Sequence, residues 1–499
     1  MKHWHAPLAL IWLPFFGFFG CSKAGGANAL GAGAGGTSTT TETPGAVGGT
    51  KTTGASATPR PAEAQGILDA LRPRSATIDY YVDANAGSDS ADGTSPATAW
   101  QSLSKIHSVV LGPGNVVHLA RGSVWKHQHL LLDNQSAGSP DAPVVFEAYG
   151  TGELPTITEP RALWDATKPF TAVYVTTGSS FITVLDIRVT ETEDNPGFAM
   201  TAGTHDIVFA GNEVVHAGVG MSIDGSHQKV ISNYIHDIGA TGVGAGTCLG
   251  IVGSALEIGF NHLAHCSIQT SSGLDGGAIE YYGRRVDENG LETYDLSDHI
   301  EIHHNVIEDT YMLMEAYGNV TNMVIAYNLY MNANTEALEF HFDDSEHSTW
   351  THECTYDVRI ENNTFAPRQE PNAGGWGIVG QLVDFNHLPD PSKSLLTLRN
   401  NIFFTNYKVT SHNALGSSFV HDHNLFGLVG DASLGDNWAA NTTEKTTDPR
   451  FIDAAAGNYQ LTSDSPAIAM GKNLGYLTDL SGASVPMDTP PDVGAYQTQ

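Results

Sequence analysis

From about residue 180 the chain repeats one pattern of apolar and polar positions. A short β-rich run is followed by an asparagine, then a polar or large residue, then an apolar one. It reads Phe209-Ala-Gly-Asn212-Glu-Val214, Ile231-Ser-Asn233-Tyr-Ile235, Gly259-Phe-Asn261-His-Leu263, Ile302-His-His-Asn305-Val-Ile307 and Ile325-Ala-Tyr-Asn328-Leu-Tyr330. Later copies are Ile360-Glu-Asn-Asn363-Thr-Phe365, Leu398-Arg-Asn-Asn401-Ile-Phe403 and His423-Asn424-Leu-Phe426. Asn212 to Asn233 is 21 residues, and Asn305 to Asn328 and Asn401 to Asn424 are 23 each. A period in the low twenties, carried by short strands without helical periodicity, predicts coils of a parallel β-helix stacked in one dimension. Asparagine suits the corners because it tolerates left-handed backbone. Stacked coil on coil, its amide can also hydrogen-bond the copies above and below. The gap from Asn261 to Asn305 is 44 residues and implies an insertion, for which the polar stretch Arg284 to Asp298 is the expected surface loop.

Three coils align more closely still. They read Ala278-Ile279-Glu280-Tyr281-Tyr282-Gly283, Leu313-Met314-Glu315-Ala316-Tyr317-Gly318 and Ala337-Leu338-Glu339-Phe340-His341-Phe342. Side chains alternate across a strand. Ile279 with Tyr281, Met314 with Ala316 and Leu338 with Phe340 are therefore expected inside. Glu280 with Tyr282, Glu315 with Tyr317 and Glu339 with His341 are expected outside. Neighbouring parallel strands lie about 4.8 Å apart, so the three glutamates would form a ladder of like charges. Each carboxylate disfavours ionisation of the next, so at least one pKa should be raised.

The first coil needs a plug. Thr98 to Leu111, with Trp100, Leu103, Ile106, Val109 and Val110 near helical spacing, is the expected N-terminal capping helix. Ahead of it, Lys2, His3 and His5 precede an apolar run from Leu8 to Phe19, too short to span a bilayer comfortably. Residues 1–20 therefore read as a signal peptide. Gly20-Cys21 resembles the bacterial lipoprotein processing site, which implies acylation of Cys21, although Phe18 and Phe19 depart from the usual residues there. The alternative is ordinary cleavage and free secretion. Residues 21–76 are rich in Gly, Ala, Thr and Pro and read as a disordered tether. The folded domain is then 77–499, at the outer surface or in the periplasm, touching a membrane only through the lipid.

Composition narrows the partners. Asp and Glu number 54 against 23 Lys and Arg, a net charge of −31. Nucleic acid, which needs a basic surface, is excluded as a partner. Neutral glycans meet no penalty from this charge, whereas anionic ones need an intervening cation. Three cysteines follow Cys21, so at most one pair forms; Cys248 with Cys266 is the expected one, leaving Cys354.

Tyr80-Tyr-Val-Asp83 with Gly87-Ser-Asp-Ser and Gly93-Thr resembles the opening of secreted right-handed parallel β-helix proteins, as does the run from Gly112 to Trp125. The C-terminal runs Asp448-Pro-Arg-Phe, Asn458-Tyr-Gln-Leu, Ser465-Pro-Ala-Ile and Pro491-Asp-Val-Gly-Ala-Tyr496 are similar to the same pectate-lyase-like, carbohydrate-active superfamily. The resemblance covers about residues 77–499. It implies an all-β, right-handed parallel β-helix solenoid, exported, and usually monomeric. It does not choose an activity, because the group holds pectate and alginate lyases, epimerases, glycoside hydrolases and proteins that only bind.

The glutamate ladder points to polysaccharide hydrolysis. A glycosidase needs one carboxyl kept protonated and another ionised. Glu280, Glu315 and Glu339 are the candidate catalytic groups, with Asp275 and Asp343 assisting. Tyr282, Tyr317, His341 and Trp350 are candidate sugar-binding groups. Plain solvated acids and ordinary outward tyrosines remain the bland alternatives. No cofactor is certain. Calcium is possible on oxygen ligands of adjacent strands, as in a lyase or epimerase for uronic acid polymers with Arg284 or Arg285 as base. A non-catalytic glycan-binding surface protein shares the same fold. No zinc pattern, phosphate loop or GxSxG motif is present.

Overall fold

A computed structural model describes residues 62–71 and 77–498, apart from 134–135, 161–170, 241, 243, 271–272, 283, 287–291, 295–296, 318–319, 333–336, 342–355, 367–395, 407, 411–418 and 436–437. Three long parallel sheets carry the described chain. Sheet A has twelve strands from Ile78–Val82 to Phe419–Asp422, and sheet B has twelve from Val124–Lys126 to Lys445–Thr446. Sheet C has eight, from Leu130–Leu132 to Leu338–His341. One coil takes His205–Ala210 in sheet A, Glu213–Val215 in sheet B and Val219–Ile223 in sheet C, then returns to sheet A at Lys229–Ile231. Each of these strands pairs in parallel with its counterpart one coil away. Phe209, Val214 and Met221 point inward from the three sheets into one continuous core. This is the parallel β-helix that the asparagine period predicts.

The asparagines stack as expected. Asn212, Asn233, Asn261, Asn305, Asn328, Asn363, Asn401 and Asn424 are at most 1% exposed. From Asn233 onward, each Oδ1 in the series accepts both the backbone N–H and the side-chain Nδ2 of the asparagine before it, at 2.9–3.1 Å. At the C-terminal end Asn424 Nδ2 donates to the buried Glu444 carboxylate at 2.8 Å. The left-handed backbone, however, belongs to the residue before. Gly211, Ser232, Phe260, His304, Tyr327, Asn362, Asn400 and His423 take φ of +52° to +66°. The ladder asparagine is chosen for its amide, and its predecessor bears the turn.

The N-terminal end corrects two expectations. Residues 98–111 do not form one helix. They hold one short 3₁₀ turn, Leu103–Ser108, and another, Pro96–Thr98, ends where they begin. Trp100 is fixed instead by a bridge to Val82 and an indole N–H donated to the Ala91 carbonyl. Leu103 and Ile106 still plug the core, while Val110 is 68% exposed. The α-helix of this region is Ala62–Ala70, inside the segment that composition assigns to a tether. Its Ala64, Ile67, Leu68 and Leu71 follow helical spacing and cover outward apolar residues of sheet A, among them Val116, Val145, Val208 and Ile231. Thr478 Oγ1 donates to Glu63 at 2.8 Å, joining this helix to the C-terminal arm. That arm lies along the outside of later coils, where Tyr459, Leu480 and Ala495 meet Leu329 and Ala366. Tyr476 donates its hydroxyl to Glu361 at 2.6 Å. The insertion Arg284 to Asp298 contains an antiparallel hairpin of Arg284–Val286 and Glu292–Tyr294.

Sheet B carries an outward belt of histidines and acids. Asp237 meets His236 at 2.8 Å and His265 at 3.4 Å, Glu213 meets His236 and Arg188, and Glu308 meets His262 at 2.7 Å. Burial opposes the charge on His236, but the hydrogen bonds its ring donates to Asp237 and Glu213 outweigh it and raise its pKa. His265 is raised chiefly by its bond to Asp237. Asp237 and Glu308 are held low by those same histidines. Raised histidines stabilise the fold below their ordinary 6.5 and lose that effect as pH climbs through the folded value. Depressed carboxylates stabilise it above their ordinary 3.8–4.5 and lose that effect as pH falls. The two windows overlap between pH 4.5 and 6.5. Thermal melts should therefore give the highest Tm there, with a decline toward pH 8.5. A Tm that is flat or rising from pH 5.5 to 8.5 would remove the belt from the stability account.

Candidate active site

Sheet C aligns the three glutamates as alternation requires. Glu280 pairs in register with Glu315, and Glu315 with Glu339. Tyr282, Tyr317 and His341 are likewise paired in register, two positions further along the same strands. Ile279, Tyr281, Met314 and Leu338 are fully buried, and Ala316 nearly so, on the inner face. The side chains of Glu339, Tyr282, Tyr317 and His341 lie outside the described set, as do Asp343, Trp350 and Cys354 altogether.

The described side chains give the ladder an asymmetry. Glu280 is only 7% exposed, whereas Glu315 is half-buried. Thr247, fully buried on the preceding coil, donates its hydroxyl to Glu280 Oε1 at 2.6 Å. Burial, then the charge of Glu315, pushes the Glu280 carboxyl up to about 8; the Thr247 bond pulls it down, and Asp275 adds a further upward push. Asp275, half-buried, accepts the Gly276 N–H at 2.8 Å. Its own pKa is raised by burial, against the Gly276 bond, with Glu315 adding to the rise. Asp275, Glu280 and Glu315 thus form one coupled set in which Glu280 keeps its proton at neutral pH.

Thr247 and its strand were not singled out by sequence reasoning. Thr247–Ile251 is the rung before Glu280, and Gly250 pairs in register with Glu280. Stacking Cys248-Leu-Gly-Ile251 on Ala278-Ile-Glu-Tyr281 would have placed them, but 30 residues separate the two, among them an inserted hairpin of Ile268–Thr270 and Gly273–Asp275. Cys248 on this strand is joined to Cys266 of sheet B, with Cα atoms 5.6 Å apart, the expected pair. The bond ties the strand that supports Glu280 to a second wall of the solenoid. Two rungs before Glu280, Ser222 occupies the same row. His304 is buried between Phe260 and Tyr327, and Arg399 pairs with Asp422 at 2.9 Å; both serve other parts of the solenoid. Among the described residues, no three His, Cys, Asp or Glu side chains are grouped so that they could hold a metal ion.

The chain is similar to the crystal structure of pectate lyase Pel9A, at 14% identity and a TM-score of 0.50, over 85% of this chain and 97% of that one. It also matches a complex of XylC with xylose (12% identity, TM-score 0.48, 85% and 98% covered). A rhamnogalacturonan lyase matches at 15% identity and a TM-score of 0.41, over 65% and 87%. No protein-family model and no curated protein matches the sequence. At such identity the likeness to Pel9A is one of architecture, and it agrees with the coil-by-coil pairing: the chain has the parallel β-helix fold.

Proposed function

We propose that this protein is an exported, polysaccharide-degrading glycoside hydrolase, held at a membrane through Cys21, whose general acid is Glu280. The observation that carries the reading is a buried carboxyl with its pKa raised to about 8, in register with a second, more open carboxylate. Structural stability gains nothing from burying an acid beside two others; acid catalysis at neutral pH requires it. With Oε1 engaged by Thr247, the Glu280 proton sits on Oε2 and passes to the glycosidic oxygen as the bond to the anomeric carbon breaks. Glu315 meets the positive charge developing on the sugar. Carboxyls on adjacent rungs, about 4.8 Å apart, suit attack by Glu315 on the anomeric carbon. Water then releases the sugar, with Glu280 taking its proton, and the anomeric configuration is retained. Tyr282, Tyr317 and His341, on the row beyond, would meet the sugar faces and hydroxyls. Neutral chains suit a site built on carboxyl groups.

The pH profile tests the acid. kcat/KM should fall on the alkaline side with a midpoint near pH 8. Thr247→Val removes the bond that lowers the pKa, so it should move that midpoint upward while Thr247→Ser keeps it in place. An alkaline limb that is unaffected by Thr247→Val would take the acid role away from Glu280.

A further inference from the structure

Gly250 occupies an outward position in the middle of sheet C, with Ser222 one rung before it and Glu280 one rung after. Other glycines of this region are demanded by the fold. A Cβ on Gly220 would come to 2.3 Å from the Cys248 carbonyl oxygen, one on Gly246 to 2.6 Å from Ile268 N, and one on Gly276 to 2.5 Å from the Gly246 oxygen. Gly246, Gly276 and Gly277 also take positive φ. Gly250 differs on both counts: its φ is not in the left-handed region, and a Cβ would meet no atom within 4 Å. A glycine in a strand interior is less stable than an alanine there. In a strand it marks a bulge, a bend or a close approach by another backbone or a ligand. Gly250 sits in unbroken register, and open space lies over it. A ligand is what remains. That space is one rung, about 4.8 Å, from the strand position of the buried acid.

We infer that Gly250 is the floor of the sugar subsite next to Glu280, and that its missing side chain sets which glycan can reach the acid. The inference rests on the hydrolase reading for its substrate, a neutral pyranose unit lying flat on the Gly250 backbone, and it adds the residue that decides access. The Ser222 hydroxyl, which has no hydrogen-bond partner among the described residues, stands on the neighbouring rung to meet a sugar hydroxyl. Gly250 touches no proton in the reaction and acts on specificity alone.

The test compares wild type, Gly250→Ala and Gly250→Trp on soluble neutral polysaccharides of pyranose units (xylan, mixed-linkage β-glucan, galactomannan). Reducing ends are measured by assay and binding by electrophoresis in polymer-containing gels. Neither variant should melt below wild type, and Gly250→Ala should melt slightly above it, because the added side chain points into open space and removes a flexible glycine from a strand. For the polymer that wild type cleaves, Gly250→Trp should raise KM on the order of tenfold or more with kcat less affected, and Gly250→Ala should raise it slightly. Wild-type KM in a folded Gly250→Trp would overturn the subsite and leave the hydrolase reading standing. Retardation of wild type without cleavage, lost in Gly250→Trp, would keep the subsite and sink the hydrolase. Neither binding nor cleavage by wild type would overturn both.

Discussion

Glu280→Gln should abolish turnover while making the protein more stable at neutral pH. The amide cannot deliver a proton, and loss of a general acid typically lowers the rate by about 10²–10⁴-fold. The stability change has the opposite sign. The folded carboxyl titrates near 8 and the unfolded one near its ordinary 4.5, so folding holds a proton that the unfolded chain releases. The native state therefore loses stability steadily as pH rises from 4.5 to 8, by roughly 3 kcal/mol at pH 7. Glutamine fits the site, accepts the Thr247 hydrogen bond and carries no such penalty. Melting curves of the variant and wild type should coincide near pH 4 and separate toward pH 8, with the variant higher. A Glu280→Gln protein that melts lower than wild type at pH 8 would mean that the carboxylate, not the acid, is what the fold holds there.

The second large effect is structural. Asn305 Oδ1 accepts from the backbone and side chain of Asn261, and its Nδ2 donates to the Ile258 carbonyl and to Asn328. Alanine at this position removes four buried hydrogen bonds and leaves the Asn261 backbone N–H without its acceptor, while Asn328 Oδ1 keeps the residue-305 N–H and Asn261 Nδ2 keeps the Val230 carbonyl. Each lost bond costs about 0.5–1.5 kcal/mol and an unmet buried group about 1–3 kcal/mol, so Asn305→Ala should destabilise the protein on the order of 3 kcal/mol or more. Denaturant unfolding would read the change as a lower midpoint. Asn305→Asp should fare as badly, because the carboxylate loses the two donated bonds and charges a buried row. A shift under about 1 kcal/mol for Asn305→Ala would show that the ladder marks the corner without holding it.

How much of this was legible in the sequence follows from what each feature depends on. The coil period was readable because every coil meets the same packing demand and answers with the same residue. The register of Glu280, Glu315 and Glu339 was readable because alternation fixes faces and the flanking residues, Ile279, Met314 and Leu338, are unmistakably core. The asymmetry within that ladder was not. It comes from Thr247, 33 residues earlier, whose hydroxyl meets Glu280 only once coils are stacked across an insertion. The left-handed corner was assigned one residue too late, since asparagine's tolerance for that backbone is a propensity and its amide here is engaged in a stronger task. The helix Ala62–Ala70 was hidden by its setting: four apolar residues at helical spacing carry little signal at the end of a long Gly, Ala and Thr-rich stretch. Its stability comes from the sheet it covers. The cap at 98–111 shows the converse, where helical spacing arose from a strand bridge at Trp100 followed by a tight turn.

The hydrolase account is most directly tested by the products. The neutral polysaccharide panel, extended with pectate and alginate, should be digested by wild type and by Glu315→Gln, each with calcium and with chelator, and followed both for new reducing ends and for absorbance of an unsaturated sugar. The account predicts reducing ends from a neutral polymer without the unsaturated chromophore, unchanged by chelator, lost in Glu315→Gln, and with the anomeric configuration retained. An unsaturated product from a uronic acid polymer that disappears with chelator would contradict it and make the protein a calcium-dependent lyase.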